Sequence, residues 1–580
     1  MTDMRPRMPR RATRRGYAGL MALVLATLLA SGCASLPPPA DNPPSLSLAD
    51  PLLTPLGRAV AAAQPDPRRS GFRLIEGGED ALDARRLLAR RARLTLDIQY
   101  YIVRDDAPTR ALFKDVRAAA DRGVRVRVLI DDMQTEGLDA ALTSLAAHRN
   151  IELRLYNPFP GQRTNTVTRL LTSLGSIRQL NRRMHNKAFI ADNAVAITGG
   201  RNLGAEYFLR DEVMNFADLD VLAAGPVARE MSDSFDRFWN SPTAYPAEMF
   251  LRAARNAPEA RRAQGMIADE PPGPPDAPVA TGATAPGTIA PVASPAGALP
   301  PSAIPPGAVS SGPAPAATPP AVPLPAPPPA QARGGSLRAQ LGPQAERLVW
   351  APATLMADEP HKIEFGPDAG EEAIIADDVA SLLRSAKRDV LIVSPYLVPG
   401  DWGMELLREL RARGVRVRIL TNSLAATDVP IVHSGYTRYR KPMLEMGVEL
   451  HELAPTPARA RGWIGLFGSS RASLHAKALV VDGRLLMVGT LNLDPRSLLS
   501  NTEMGVVIDS RTLSAQIQRL FDQSVAPGNA FRPQLDGAGT VYWTTTLDGS
   551  PRRFDAEPAA STGRLLIHRL LGPLAPEGLL

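Results

Sequence analysis

Two groups of side chains in this 580-residue sequence have the types and spacing for chemistry at phosphorus. The first reads Met184-His185-Asn186-Lys187, then Asp192, then Gly199-Gly200-Arg201-Asn202; the second reads Leu474-His475-Ala476-Lys477, then Asp482, then Gly489-Thr490-Leu491-Asn492. Both are His, Lys two residues later, Asp five after that, six residues, then Gly-x-x-Asn, at an offset of 290. On a strand, residues i and i+2 point to one face, so each His and Lys can serve one phosphate. An imidazole can attack phosphorus while the neighbouring ammonium takes up charge on the nonbridging oxygens. Asn202 and Asn492, each just past a glycine turn, can donate amide hydrogens to the same oxygens. Asp192 and Asp482 fall where a strand leaves its sheet, and there a carboxylate fixes a loop rather than performing chemistry. A lone His-x-Lys usually marks a solvated strand face; two matches at equivalent points of a duplication do not.

The elements that must hold these residues are duplicated too. Arg122-Gly-Val-Arg-Val-Arg127 recurs as Arg413-Gly-Val-Arg-Val-Arg418 at an offset of 291. Each copy follows an amphipathic segment, 107–121 or 401–412, that reads as a helix ended by glycine. Each then enters an alternating β-branched run, 124–130 or 415–420. Further strands are expected over 94–103, 390–398 and 504–508, and Ile151-Glu-Leu parallels Val448-Glu-Leu. Strand and helix signals alternate in both halves, which predicts two α/β lobes with mixed sheets covered by helices. Residues 271–330 hold 21 prolines, with Asp276 the only charged side chain. Such a stretch buries too little apolar surface to offset the entropy of ordering it, and reads as a disordered Pro/Ala-rich insert. The domain reading is therefore 1–33 a lipoprotein-type signal peptide, 34–70 a Pro-rich tether and 71–265 the first domain. The linker follows at 266–340, the second domain at 341–525 and a C-terminal extension at 526–580.

An Arg-rich start, the apolar run Leu20 to Leu29 and then Ala30-Ser31-Gly32-Cys33 resemble a bacterial lipoprotein processing site. Cys33 is the only cysteine, which excludes an intramolecular disulfide and fits lipidation at the mature N-terminus; the alternative is an ordinary secretory peptide with an incidental cysteine. The expected location is the periplasmic face of a bacterial membrane, the outer membrane being favoured because Ala34 is not the inner-membrane retention Asp. Residues 1–32 carry +5 of the formal net charge of +7, leaving +2 for the rest, so charge gives no support to a general polyanion-binding surface.

The twin motif resembles the phospholipase D superfamily. Gly199-Gly-Arg-Asn-Leu-Gly-Ala-Glu-Tyr-Phe208, Asp218-Leu-Asp220, Val432-His-Ser-Gly-Tyr436, Asn492-Leu-Asp-Pro-Arg-Ser497 and the chain end with Trp543 and Glu557-Pro558 resemble the bacterial branch containing C-type cardiolipin synthases. The resemblance runs over about 70–265 and 340–580; Gly200 against Thr490, the insert and the lipoprotein-like start depart from it. It implies two duplicated phospholipase D-like lobes with one shared active site at their interface. There one histidine forms a phosphohistidine while the other serves as acid and then base. His185 is assigned as nucleophile and His475 as acid/base, with the exchange open because the motifs are nearly symmetrical. Lys187, Lys477, Asn202 and Asn492 would hold the phosphoryl oxygens. A nucleophilic imidazole needs a carboxylate on its other nitrogen; Glu503 and Asp218 are proposed for this, with the pairing open. His433 with Tyr436 and Arg438 is read as lining a headgroup pocket, a structural role being the alternative. No metal or other cofactor is implied.

The expected activity is phosphatidyl transfer giving cardiolipin from phosphatidylglycerol and a second phospholipid, possible partners including phosphatidylethanolamine. Hydrolysis to phosphatidic acid and an endonuclease activity are the alternatives. An endonuclease would call for a basic groove with stacking aromatics, and with a charge near +2 and 5% aromatics no nucleic-acid partner is expected. No obligate protein partner is evident. Trp463-Ile-Gly-Leu-Phe467 is read as a stretch that dips into the membrane, or else as a buried loop.

Overall fold

The computed structural model describes residues 44–135, 137–159, 182–251, 336–365, 375–455, 471–547 and 549–571. Cys33 and the segment before it that reads as a signal peptide, the Pro-rich insert, Trp463–Phe467 and the apolar terminus lie outside them.

The duplication is visible strand by strand. The first sheet runs, edge to edge, Val349–Ala351, Ser70–Ile75, Asp220–Ala224, Val195–Gly199, Ala188–Ala191, Thr95–Ile102, Arg125–Gln134, Ile151–Tyr156, Ala244–Pro246. The second runs Ala353–Ala357, Met504–Asp509, Leu485–Gly489, Ala478–Val481, Asp389–Val393, Arg416–Asn422, Glu449–Leu453, Ala530–Leu535, Val541–Leu547, Ser550–Phe554. From Ser70–Ile75 and from Ala353–Ala357 onward the two orders correspond. In each, three adjacent strands are parallel and their neighbours antiparallel. Both sheets are therefore mixed, as the alternating strand and helix signals predict.

The helix Ala107–Asp121 begins on Asp106, whose carboxylate accepts from Thr109 N, and both it and its counterpart Gly400–Ala412 are followed by a glycine at positive φ, Gly123 at 91° and Gly414 at 76°. That left-handed turn lets the chain reverse directly into the buried Val-Arg-Val-Arg strand. The strand expected over 390–398 stops at Val393. Pro395 has no N–H for a ladder, and Ser394 instead bonds Tyr396 O and Leu493 N through its hydroxyl.

Two expected boundaries shift. The strand Val349–Ala351 lies inside the range 341–525 yet pairs with Ser70–Phe72 of the first sheet, and Leu337 and Leu341 pack in the first lobe's apolar cluster. The stretch expected to be a tether is docked from Ser45 onward: Ser45 N and Ser47 N donate to Asn240 and Asp236, and the helix Pro55–Ala63 buries Leu56 and Val60. Short amphipathic runs beside Pro-rich sequence looked like linker because their partners are distant in the chain.

The lobes share a core. One apolar cluster combines Met231, Phe235 and Trp239 of the helix Pro226–Trp239 with Leu391, Leu420, Val488 and Val506 of the second sheet. The strands Met214–Ala217 and Arg471–Leu474, one from each lobe, pair in parallel as a two-stranded sheet. No helix among the described residues is long and apolar enough to cross a membrane.

Candidate active site

Both half-motifs enter the sheets the same way. His185 and Lys187 lie in extended chain just before Ala188–Ala191, and His475 and Lys477 just before Ala478–Val481, rather than within the strands. Each histidine segment is caught by the other lobe: His185 N donates to Thr502 O (3.0 Å), and His475 N donates to Ala217 O (2.8 Å). Thr502 and Ala217 immediately precede the carboxylates Glu503 and Asp218, so these bonds carry each carboxylate beneath the opposite ring. Glu503 Oε2 lies 2.8 Å from His185 Nδ1, and Asp218 Oδ2 lies 2.6 Å from His475 Nδ1. The pairing left open in the sequence is thus crossed, each histidine being oriented by the partner lobe.

The carboxylates are held by different means. Thr490 donates its hydroxyl to Glu503 Oε2, while Asp218 Oδ1 takes the Leu219 N–H at 2.7 Å. A Cβ at Gly200, the position matching Thr490, would meet Asp218 Oδ1 at 2.0 Å. The shorter aspartate therefore requires glycine there, and a backbone donor replaces the missing hydroxyl.

Asp192 accepts from the amides of Arg93, Leu94 and Thr95, and Asp482 from those of Lys387, Arg388 and Asp389. Both stand at positive φ in the turn at the far end of the motif strand, pinning it to the start of the neighbouring strand. Lys187 Nζ donates to His185 O (2.8 Å) and Lys477 Nζ to His475 O (2.6 Å). Asn202 Oδ1 accepts from Ile102 N; its Nδ2 is buried without a well-formed hydrogen bond, the Tyr207 hydroxyl being its polar neighbour. Asn492 Oδ1 is likewise buried and unpartnered among the described residues. An unpaired buried amide atom is costly unless something arrives to pair with it.

His433 and Tyr436 are placed elsewhere. His433 Nε2 sits 3.0 Å from Arg440 Nη2, whose Nη1 donates to Glu557, while Tyr436 and Trp543 both donate to Glu452. This buried network ties the helix Pro430–Glu445 to the C-terminal extension, and among the described residues neither His433 nor Tyr436 is recorded in a hydrogen bond to a motif side chain. The sequence also gave no hint of several groups around the histidines. Asp131 Oδ2 accepts from Met184 N, and Asn422 brackets Leu474 through its N–H and C=O, so equivalent residues 291 apart hold the residue before each histidine. A polar side chain at the equivalent position of the same buried strand in both copies was the available signal. Tyr101 meets His185 edge-on (5.0 Å) and Tyr207 meets His475 edge-on (5.2 Å). Arg496 interacts with Tyr101 and lies close enough to His185 to disfavour its protonation; its Nε and Nη2 are buried without a well-formed hydrogen bond among the described residues.

The electrostatics join the half-motifs into one site and differ between its two sides. Burial, then Lys187, Lys477 and His475, hold the His185 imidazole well below its ordinary range. Burial raises Glu503 to about 7 against the pull of Lys187. On the other side burial opposes ionisation of Asp218, but His475, Lys477 and Arg201 outweigh it and hold the carboxyl at about 2. His475 is lowered by burial and Lys477, with Asp218 acting to raise it. Burial and mutual repulsion bring Lys187 to about 7; burial brings Lys477 to about 8, with Asp218 and Glu503 opposing. Among the described residues no group of His, Cys, Asp and Glu has the arrangement of a metal site.

A duplicated mixed-sheet fold whose twin His-x-Lys motifs interlock across the lobes defines a phospholipase D-like protein. Residues 87–239 and 379–525 match the family described as "Cardiolipin synthase, PLD-like domain", and the chain belongs to that family, which makes it a phospholipase D-superfamily phosphatidyltransferase. It is 37% identical over 519 residues to cardiolipin synthase C of Escherichia coli K12, covering 89% of this chain and 97% of that one. Against cardiolipin synthase B of Escherichia coli K12 the identity is 22% over 443 residues, 76% of each chain. The solved phosphatidylserine synthase of Haemophilus influenzae Rd KW20 shares the fold, with a TM-score of 0.50 and 12% identity over 90% of this chain and 100% of that one.

Proposed function

We propose that the chain forms cardiolipin by transferring a phosphatidyl group from one phospholipid to the headgroup hydroxyl of phosphatidylglycerol, through a phosphohistidine on His185. The observation that carries this reading is the crossed pairing of His185 with Glu503 and of His475 with Asp218. An imidazole attacks only in its neutral form, which has a free lone pair, and an acid must keep its proton until the leaving group needs it. His185, whose cation is the more strongly disfavoured, suits attack through Nε2 while Nδ1–H is held by Glu503. His475, beside a carboxylate that stays ionised, suits protonation of the departing alcohol and then deprotonation of the incoming one. Lys187, Lys477, Asn202, Asn492 and Arg496 supply donors for the phosphoryl oxygens, where charge builds in the transition state. The 37% identity to a cardiolipin synthase over most of both chains supports the substrate class. In this reading acylated Cys33 keeps the enzyme at a periplasmic bilayer surface.

The test is product analysis with labelled phosphatidylglycerol, with and without phosphatidylethanolamine. Cardiolipin is expected; phosphatidic acid alone would move the assignment to hydrolysis, and DNA cleavage without lipid turnover would overturn it. His185→Ala and His475→Ala are each expected to lower turnover by roughly 10³-fold or more. Near-normal activity in either would remove the twin-histidine mechanism.

A further inference from the structure

The pseudo-twofold symmetry of the site breaks on the His475 side, at Asp428. Asp428 Oδ2 accepts the Tyr396 hydroxyl at 2.7 Å, while its Oδ1 is buried without a partner among the described residues. The carboxylate lies within electrostatic reach of His475, Lys477 and Tyr207. In the first lobe the strand register puts Gly137, which has no side chain, at the matching position. On the His185 side the pocket instead carries Arg496, and the position matching Arg496 is Glu206, which is turned to Arg104 (3.4 Å). The pocket is thus polar from end to end, with a cation at one histidine and a carboxylate at the other.

Asp428 is also fixed in place. The carbonyls of Leu424 and Thr427 accept from Arg564 Nη1 at 2.8 and 2.6 Å, and that of Ala425 accepts from Arg471, which begins the cross-lobe strand. Tyr396 is fixed as well: Ser394 Oγ donates to Tyr396 O, and Val398 N donates to Leu493 O (2.7 Å), next to Asn492. A free carboxylate oxygen on such a support accepts one hydrogen bond with defined direction.

We infer that Asp428 recognises the acceptor alcohol, its Oδ1 accepting a hydrogen bond from the hydroxyl adjacent to the one that attacks. The inference rests on the reading of His475 as acid/base. In the transfer half-reaction the attacking hydroxyl gives its proton to His475 Nε2 as its oxygen bonds phosphorus. The P–Nε2 bond to His185 breaks, and its electron pair returns to that imidazole. A glycerol headgroup has a second hydroxyl one carbon from the attacking one, within reach of a carboxylate beside His475. Water and simple primary alcohols lack it. A buried acceptor that goes unpaired discriminates strongly against the ligand without the donor. Asp428 therefore favours transfer to a vicinal diol, and Tyr396 is a positioning residue that aims it.

The experiment uses the full chain on vesicles of labelled phosphatidylglycerol, with 1,2-propanediol, 1-propanol or ethanolamine as competing soluble acceptors. The readout is the ratio of phosphatidylpropanediol to phosphatidylpropanol, which is independent of absolute rate. The wild-type protein is expected to favour the diol, and Asp428→Asn to reduce that preference about tenfold, consistent with loss of one hydrogen bond to a charged group. Tyr396→Phe, which leaves the carboxylate but not its aim, is expected to reduce it by a smaller factor. An unchanged ratio in Asp428→Asn overturns the inference; if that variant makes no product, an unchanged ratio in Tyr396→Phe does so. A fall in ethanolamine use with the diol preference intact overturns the hydroxyl assignment in favour of an ammonium. Failure of the wild-type protein to transfer to any alcohol would instead count against the proposed function.

Discussion

At the scale of single residues, the two half-sites reach one geometry by different routes. Asp218 is a methylene shorter than Glu503, so it approaches the sheet more closely and leaves no room for a side chain at position 200. Gly200→Ala is therefore expected to push Asp218 away from His475 Nδ1 and to cost roughly 10–100-fold in kcat/KM with little change in melting temperature, since misplacement of a positioned group is costly to rate. Thr490→Gly removes a hydroxyl donor but no space, so Glu503 keeps its place and the loss should be smaller; equal losses in steady-state kinetics would refute the packing argument. The same groups set the pH response. Below about pH 7 Glu503 takes up a proton and no longer accepts Nδ1–H of His185. Above about pH 7 to 8 Lys187 and then Lys477 lose their charges and with them the grip on phosphate. The profile of kcat/KM should thus be bell-shaped and narrow about neutrality, its limbs belonging to the coupled cluster rather than to single residues. Bound phosphodiester stabilises the ammonium forms, so the alkaline limb of kcat should lie at higher pH than that of kcat/KM. A profile flat from pH 6 to 9 would show that these groups do not titrate in the free enzyme.

At the scale of elements, each motif strand is located at both ends. Its entry is held by cross-lobe backbone bonds and by Asp131 or Asn422; its exit is held by Asp192 or Asp482. Asp192 is fully buried, and Asp192→Ala would strand several amides at the start of the strand Thr95–Ile102. The expected cost is about 3 kcal/mol, seen as a fall in melting temperature of roughly 5 °C or more; the half-buried Asp482 should cost less when replaced. A loss confined to kcat, with the melt unchanged, would restore a chemical role to these aspartates. The strands themselves were legible because alternation and β-branching are local properties, and the motif because its five key positions recur in register. The crossed pairing was not legible: His185 and Glu503 are 318 residues apart and His475 and Asp218 are 257 apart, so their contact depends on how the lobes interlock. Asp428 was not legible because the register of the repeat sets it against Gly137, so the comparison of the two halves gives it no signal. The strand Val349–Ala351 was assigned to the wrong lobe because three apolar residues after a Pro-rich stretch say nothing of which edge they will join.

At the scale of the whole molecule, the site exists only where the lobes meet, and neither half can orient its own histidine. What holds the halves is the shared apolar cluster, the parallel pairing of Met214–Ala217 with Arg471–Leu474, and the bonds from Thr502 to the His185 segment. Burial of this kind, at about 25 cal/mol per Å² of apolar surface removed from water, does not depend on chain continuity. A single protease cut introduced between residues 271 and 330, for instance at an engineered recognition sequence, should therefore leave the fragments associated. They should co-elute in size-exclusion chromatography and retain turnover within about twofold. Each fragment prepared alone should be inactive, because His185 would lack Glu503 and His475 would lack Asp218. Dissociation of the nicked protein at micromolar concentration, or activity in either isolated fragment, would contradict the interlocked arrangement. Either fragment with its histidine replaced by alanine, mixed with the wild-type form of the other, should associate as the wild-type pair does but turn over no lipid, because the joint site then lacks one histidine.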